Sequence, residues 1–181
     1  MSRMAGLWPG AWMRRNREAI SFVAIFLLAV LGFAFFLQFD WVTIHLVGPY
    51  TEGIASGAGF VLDRFGEETH ISGTRLMSPR FQVNIYHGCN GLLATSIYVA
   101  AVLAFPSTLR QKGIGVGIGI PAIQIINLVR ILALYYTGIF WPDFFAVAHG
   151  YVWQSVVILF SMLVWIYWAE RFVRVGRPAA P

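Results

Sequence analysis

Residues 114–140 read IGVGIGIPAIQIINLVRILALYYTGIF, an apolar run broken by one charge, Arg130. A helix needs about 20 such residues to cross a ~30 Å hydrocarbon layer, so this stretch alone points to a membrane protein. Three more runs can span: residues 19–39, 91–105 and 151–168, the second so short that it is tilted or extended by a turn. The first follows Arg14, Arg15 and Arg17 as a signal peptide would. Its apolar core exceeds the ~7–15 residues of a cleavable segment, so it reads as an anchor. Composition agrees: 58% of the 181 residues are hydrophobic and 12% charged, against roughly 25% charged in soluble domains. The expected fold is α, a polytopic membrane helical bundle of about four transmembrane helices. It forms one integral-membrane domain over residues 1–181, with a small extracytoplasmic interfacial helix and β-hairpin.

The net charge of +5 points to a lipid bilayer and not to nucleic acid, because the basic residues flank apolar segments. With the N-terminus inside, Arg3, Arg14, Arg15, Arg17, Arg110, Lys112, Arg171, Arg174 and Arg177 fall on the cytoplasmic side. Only Arg64, Arg75 and Arg80 fall outside. Both termini are then cytoplasmic, as in a multi-pass protein of a bacterial inner membrane. This topology brings Cys89 to the outer end of the second span and His149 to the outer end of the fourth. Arg130 lies roughly 13 Å below the outer end of the third, at ~1.5 Å per residue.

The outer loop, residues 40–88, has structure of its own. Ile54, Ala58, Val61, Leu62 and Phe65 repeat with a helical period behind Pro49, which suits an amphipathic helix at the interface. Phe81, Val83 and Ile85 then alternate with Gln82, Asn84 and Tyr86, a strand period. Ser78-Pro79 turns a hairpin whose other strand lies near residues 71–77. A strand running straight into Gly88-Cys89 holds the thiol rigidly and offers an edge to an extended peptide.

Cys89 is the only cysteine, which excludes an internal disulfide and a multi-cysteine zinc site. In Gly88-Cys89-Asn90-Gly91 it sits at the expected start of a helix. Main-chain N–H groups there favour an anion and lower a thiol pKa from ~8.5. The flanking glycines leave room for a substrate backbone. A plain packing role for a small apolar thiol is the alternative. Arg130 must face protein or water, since a central arginine costs ~2.5–3.5 kcal/mol even on lenient scales. Gln124, Asn127, Arg130 and Thr137 form one polar face. No span offers a central carboxylate to pair with, so a thiolate or a developing oxyanion is a partner for the guanidinium. His149 can serve such a thiol as general base and then general acid, with Asp143 placed to orient it; at an interface it can equally be a wetted side chain. His45, His70 and His87 match no zinc spacing, so neither metal nor cofactor is expected. Gly113/Gly117 and Gly115/Gly119 have the spacing for close helix packing, and Pro121 is expected to kink the third span. Trp141, Tyr151, Trp165, Tyr167 and Trp168 read as interfacial anchors.

Gly88-Cys89-Asn90-Gly91, Asn127-Leu128-Val129-Arg130-Ile131 and Ala148-His149-Gly150 together resemble the three signature blocks of the exosortase/archaeosortase family. The blocks and the strand before the first lie within residues 81–150, and the topology extends the similarity over most of the chain. Fewer spans than the commonest exosortases make it most like the compact exosortase H type. The resemblance implies a membrane cysteine protease or transpeptidase with Cys89 as nucleophile, Arg130 as oxyanion stabiliser and His149 as acid/base. Gly88, Asn90, Gly91 and Asn127 would then contact substrate. The implied partners are membrane-tethered proteins whose C-terminal sorting signal joins a short motif, a transmembrane helix and a basic tail. A different class stays open: a non-catalytic assembly or transport subunit in which Arg130 makes a structural polar contact and Cys89 packs. The oligomeric state is not legible in the sequence.

Overall fold

A computed structural model describes residues 16–86 and 88–173. Arg3, Arg14, Arg15, His87, Arg174 and Arg177, used above for orientation or for the metal reading, lie outside the described residues.

Helix α1 (Arg17–Phe36) buries none of its residues and leaves Leu27, Leu28, Leu31 and Phe35 exposed. That surface suits lipid, where a helix satisfies its own main chain and apolar side chains meet apolar solvent. A turn at Asp40–Val42 and a π-turn at Thr43–Val47 lead into α2 (Gly48–Arg64). Its buried face is Thr51, Ala55, Ala58, Gly59 and Leu62, while Phe65, expected on that face, caps the helix and is exposed.

The expected hairpin is a three-stranded antiparallel sheet: β1 (His70–Ser72), β2 (Arg75–Met77) and β3 (Gln82–Asn84), in that order. The extra strand arises because Gly73, at φ +59°, reverses the chain inside the segment read as one strand. The two-residue link Gly73-Thr74 is the commonest hairpin length, and its positive φ favours glycine. A polar clamp fixes this cap to the bundle. Arg80 Nη1 donates to Glu67 at 2.8 Å, Tyr135 donates its hydroxyl to Glu67 at 2.9 Å, and Ser78 meets the same hydroxyl at 2.6 Å.

Among the described residues three helical runs are long and apolar enough to cross a membrane: α1, α4 (Leu109–Phe140), and Pro142–Val173, which contains α5 (Trp153–Trp168). The remaining expected span is α3 (Leu92–Ala104), apolar but only 13 residues long, about 20 Å at 1.5 Å per residue. Helix α4 starts on a capping box. Gln111 N donates to Thr108 Oγ1 while Thr108 N donates to Gln111 Oε1, so two otherwise orphaned donors are met. The helix continues through Pro121 to Phe140.

Two cores flank α4. One holds Tyr98, Val102, Ile123, Trp168, Ala169 and Val173. There α4 comes so close that a Cβ on Gly115 would stand 2.7 Å from the Trp168 indole, and one on Gly119 would overlap the Tyr98 ring. Gly113 and Gly117 face open space, so one of the two small-residue pairs packs. Trp168, read as an interfacial anchor, is fully buried here, whereas Trp141, Tyr151 and Tyr167 are exposed. At this end Arg17 and Lys112 line one cavity. The other core, under the sheet, joins Ala55, Ala58 and Leu62 of α2 with Leu76, Ile85, Cys89, Ile131 and Tyr135.

Candidate active site

The segment between β3 and α3 is built to hold one residue still. β3 ends at Asn84 and α3 begins at Leu92, so Cys89 lies in a turn between them. It is neither the end of the strand nor part of the first helical turn. Its N–H donates to Tyr86 O at 2.7 Å, and its carbonyl accepts from Asn127 Nδ2 at 3.1 Å. Asn90, fully buried, donates to Thr51 Oγ1 at 2.9 Å and accepts from Leu92 N at 3.0 Å. Gly91 caps α3 at φ +74°, and a Cβ there would also stand 2.9 Å from Asn127 Cγ. Both the backbone and the space require glycine.

Against this turn sits His149, in the π-turn Ala148–Val152. The extra residue of a π-turn re-aims the side chains of a helix locally. Cys89 Sγ lies 2.7 Å from His149 Nε2. The imidazole is stacked on Phe145, centroids 6.0 Å apart at 10°, with Tyr86 6.4 Å away on a tilted plane. From α4, Arg130 Nη2 reaches to 4.0 Å from the same sulfur, and Nη1 donates to Gln154 Oε1 at 3.3 Å. Arg130 is 3% exposed and Cys89 7%; Arg130 Nε and Asn127 Oδ1 are buried without a partner. The sequence-derived trio therefore converges on one sulfur.

Burial pushes the Cys89 thiol up from its ordinary pKa, and the nearby Arg130 charge draws it partly back. The sequence reading expected the opposite net direction. The physical reason is burial, which disfavours the thiolate and outweighs the Arg130 charge.

The remaining residues have distinct places. Gly88 is exposed beside the cysteine, whereas Asn90, Gly91 and Asn127 pack behind it. Asp143 is exposed in the turn Pro142–Phe144, and no hydrogen bond among the described residues joins it to His149. His45 stacks on Trp41 and His70 is exposed in β1. Among the described residues no three His, Cys, Asp or Glu side chains group as metal ligands. Gln154 and Phe145 escaped the sequence reading, and Tyr86 entered it only as a strand residue. Gln154 left a signal, a polar residue inside an apolar run five positions after His149. The pairing of rings around His149 left none.

A cleft of about 250 Å³ opens onto Cys89 and His149, walled by residues 81–86 on one side and by Ile131, Leu134 and Phe145 on the other. A carbonyl carbon entering it can meet the sulfur, with a proton acceptor and a cationic donor already in reach. The family model described as transmembrane exosortase matches residues 8–170, all but the two ends of the chain. No curated protein and no solved structure matches the chain.

Proposed function

The chain belongs to the transmembrane exosortase family, and from that premise we propose that it is a membrane-embedded cysteine protease or transpeptidase working through an acyl-enzyme on Cys89. The observation that carries this reading is the 2.7 Å approach of Cys89 Sγ to His149 Nε2, with Arg130 Nη2 at 4.0 Å from the sulfur. His149 Nε2 removes the thiol proton as the substrate carbonyl arrives, and the thiolate forms the carbon–sulfur bond. Charge moves to the carbonyl oxygen, where Arg130 offsets it. His149 returns the proton to the departing amine, the peptide bond breaks, and a thioester remains on Cys89. Water or an incoming amine then releases the acyl group and restores the thiol. Asn127, Asn90 and Gly91 hold the cysteine backbone, and Gly88 leaves its approach open.

The substrates in this reading are exported, membrane-tethered proteins ending in a short motif, a transmembrane helix and a basic tail. The bundle supports that geometry: Arg17 and Lys112 gather at the end remote from the sheet, and Arg64, Arg75 and Arg80 at the sheet end. With the first end cytoplasmic, both termini are inside and the cleft faces the periplasm of an inner membrane. A role as a non-catalytic subunit draws on the Arg130–Gln154 hydrogen bond, but gives no reason for a thiol–imidazole pair at the mouth of a cleft. Co-production with a membrane-tethered protein carrying such a tail tests the reading. Cys89→Ala lowers processing by about 10³-fold or more, and equal processing by wild type and variant refutes it.

A further inference from the structure

The cleft is lined by residues 81–86 without a gap. Three of these, Gln82, Val83 and Asn84, are the whole of β3. β3 is the end strand of the sheet, paired among the described residues only with β2, through Leu76↔Val83 and Met77↔Gln82. Its hydrogen-bond phase is set by two neighbours: Ser78 N donates to Phe81 O at 3.0 Å, and Ile85 N to Thr74 O at 2.9 Å. Phe81, Val83 and Ile85 therefore aim their main-chain groups at β2. By the alternation of antiparallel ladders, Gln82 and Asn84 aim theirs the other way, along the cleft.

We propose that the segment to be cleaved docks in extended form as a fourth strand on β3, bonded by the N–H and C=O groups of Gln82 and Asn84, with its scissile carbonyl delivered to Cys89. This deepens the cysteine-protease reading and rests on it. Main-chain pairing supplies affinity that is blind to side chains, and the opposite wall supplies selectivity. Ile131, Leu134 and Phe145 form that wall, so the docked strand presents apolar residues at every second position to them. The free edge is three residues long, short enough to resist pairing with other sheets while taking one short segment. Selection then falls on a segment's extended shape and alternate apolar positions near the membrane, in addition to any single recognised residue.

Two alkylating reagents test this on the full-length protein in detergent: acetyl-Val-Ala-Leu chloromethyl ketone and iodoacetamide. Both place a carbon on Cys89 Sγ, but the first also offers an extended backbone. Gln82→Pro removes an N–H that points into the cleft and spares the bonds to β2. We expect it to lower the ratio of peptidyl to iodoacetamide rate about three- to tenfold, the range for one lost hydrogen bond. An unchanged ratio overturns the proposal. A second measurement needs no variant. Methylating the probe's amide nitrogens one at a time slows wild-type alkylation at every second position if the probe lies as a strand. Equal effects at all positions, or none, overturn strand docking while leaving the nucleophile in place. A Cys89 inert to both reagents overturns the protease reading and this proposal together.

Discussion

Around Gly115 and Gly119, α4 meets two large rings whose polar atoms are fully met: Trp168 Nε1 donates to Gln111 O at 2.8 Å, and Tyr98 donates its hydroxyl to Gly115 O at 2.9 Å. Around Asn127 and Arg130, the same helix meets Cys89 and His149 and leaves Asn127 Oδ1 and Arg130 Nε buried without partners. The aromatic end is not perfect, since Trp165 Nε1 is also unmet. The contrast still separates an anchor from a site. Burying an unpaired polar group costs about 1–3 kcal/mol, and dispersion between glycine-cleared helices and large rings offsets such costs elsewhere. Of the two unmet groups at the site, the Arg130 Nε–H is a donor, the kind of group an arriving carbonyl oxygen can accept from. In the proposed reading, one helix carries stability near its start and chemistry past its middle.

If that division holds, substitutions at the two ends change different observables. Trp168→Ala removes the largest fully buried side chain and should cost about 3–5 kcal/mol of stability. Denaturant unfolding in micelles reads this, with processing per folded molecule unchanged; a loss of turnover without loss of stability would break the division. Arg130→Met should do the reverse. Processing falls by about 10²–10³, as when an oxyanion donor is removed, while the unfolding midpoint does not drop, because an apolar isostere relieves a buried charge. The smallest effect concerns pH. Burial raises the Cys89 pKa, so substrate-free alkylation by iodoacetamide should rise with pH through a midpoint above the ordinary ~8.5. Arg130→Met moves that midpoint higher still, since the charge that lowers it is gone. A wild-type midpoint at or below ~8.5 contradicts the burial argument.

The site was legible in the sequence to the extent that topology determines it. Span positions and loop charges bring Cys89, Arg130 and His149 to one side of the bundle, and His149 Nε2 and Arg130 Nη2 lie 2.7 Å and 4.0 Å from the Cys89 sulfur. What escaped depends on burial and local backbone geometry. Burial of the thiol reversed the expected shift, and the turn at Gly73 divided one strand into two. The π-turn at Ala148–Val152 lies inside the helical run Pro142–Val173, which starts well before residue 151, where the apolar run read from composition begins. Trp168 was misplaced for a similar reason. An indole near a span end reads as a lipid-interface anchor, and only Gly115, distant in sequence and adjacent in space, makes it core. Glu67, Arg80, Ser78 and Tyr135 tie the cap to α4 across separations that no periodicity records.

The most direct measurement is the intact mass of the protein, and of its Cys89 peptide, after brief co-production with a tailed membrane-tethered protein. The account predicts an adduct equal in mass to the N-terminal cleavage product less one water, joined to Cys89 by a hydroxylamine-labile thioester and absent from Cys89→Ala. Processing that proceeds with Cys89 unmodified, and equally in Cys89→Ala, would contradict it.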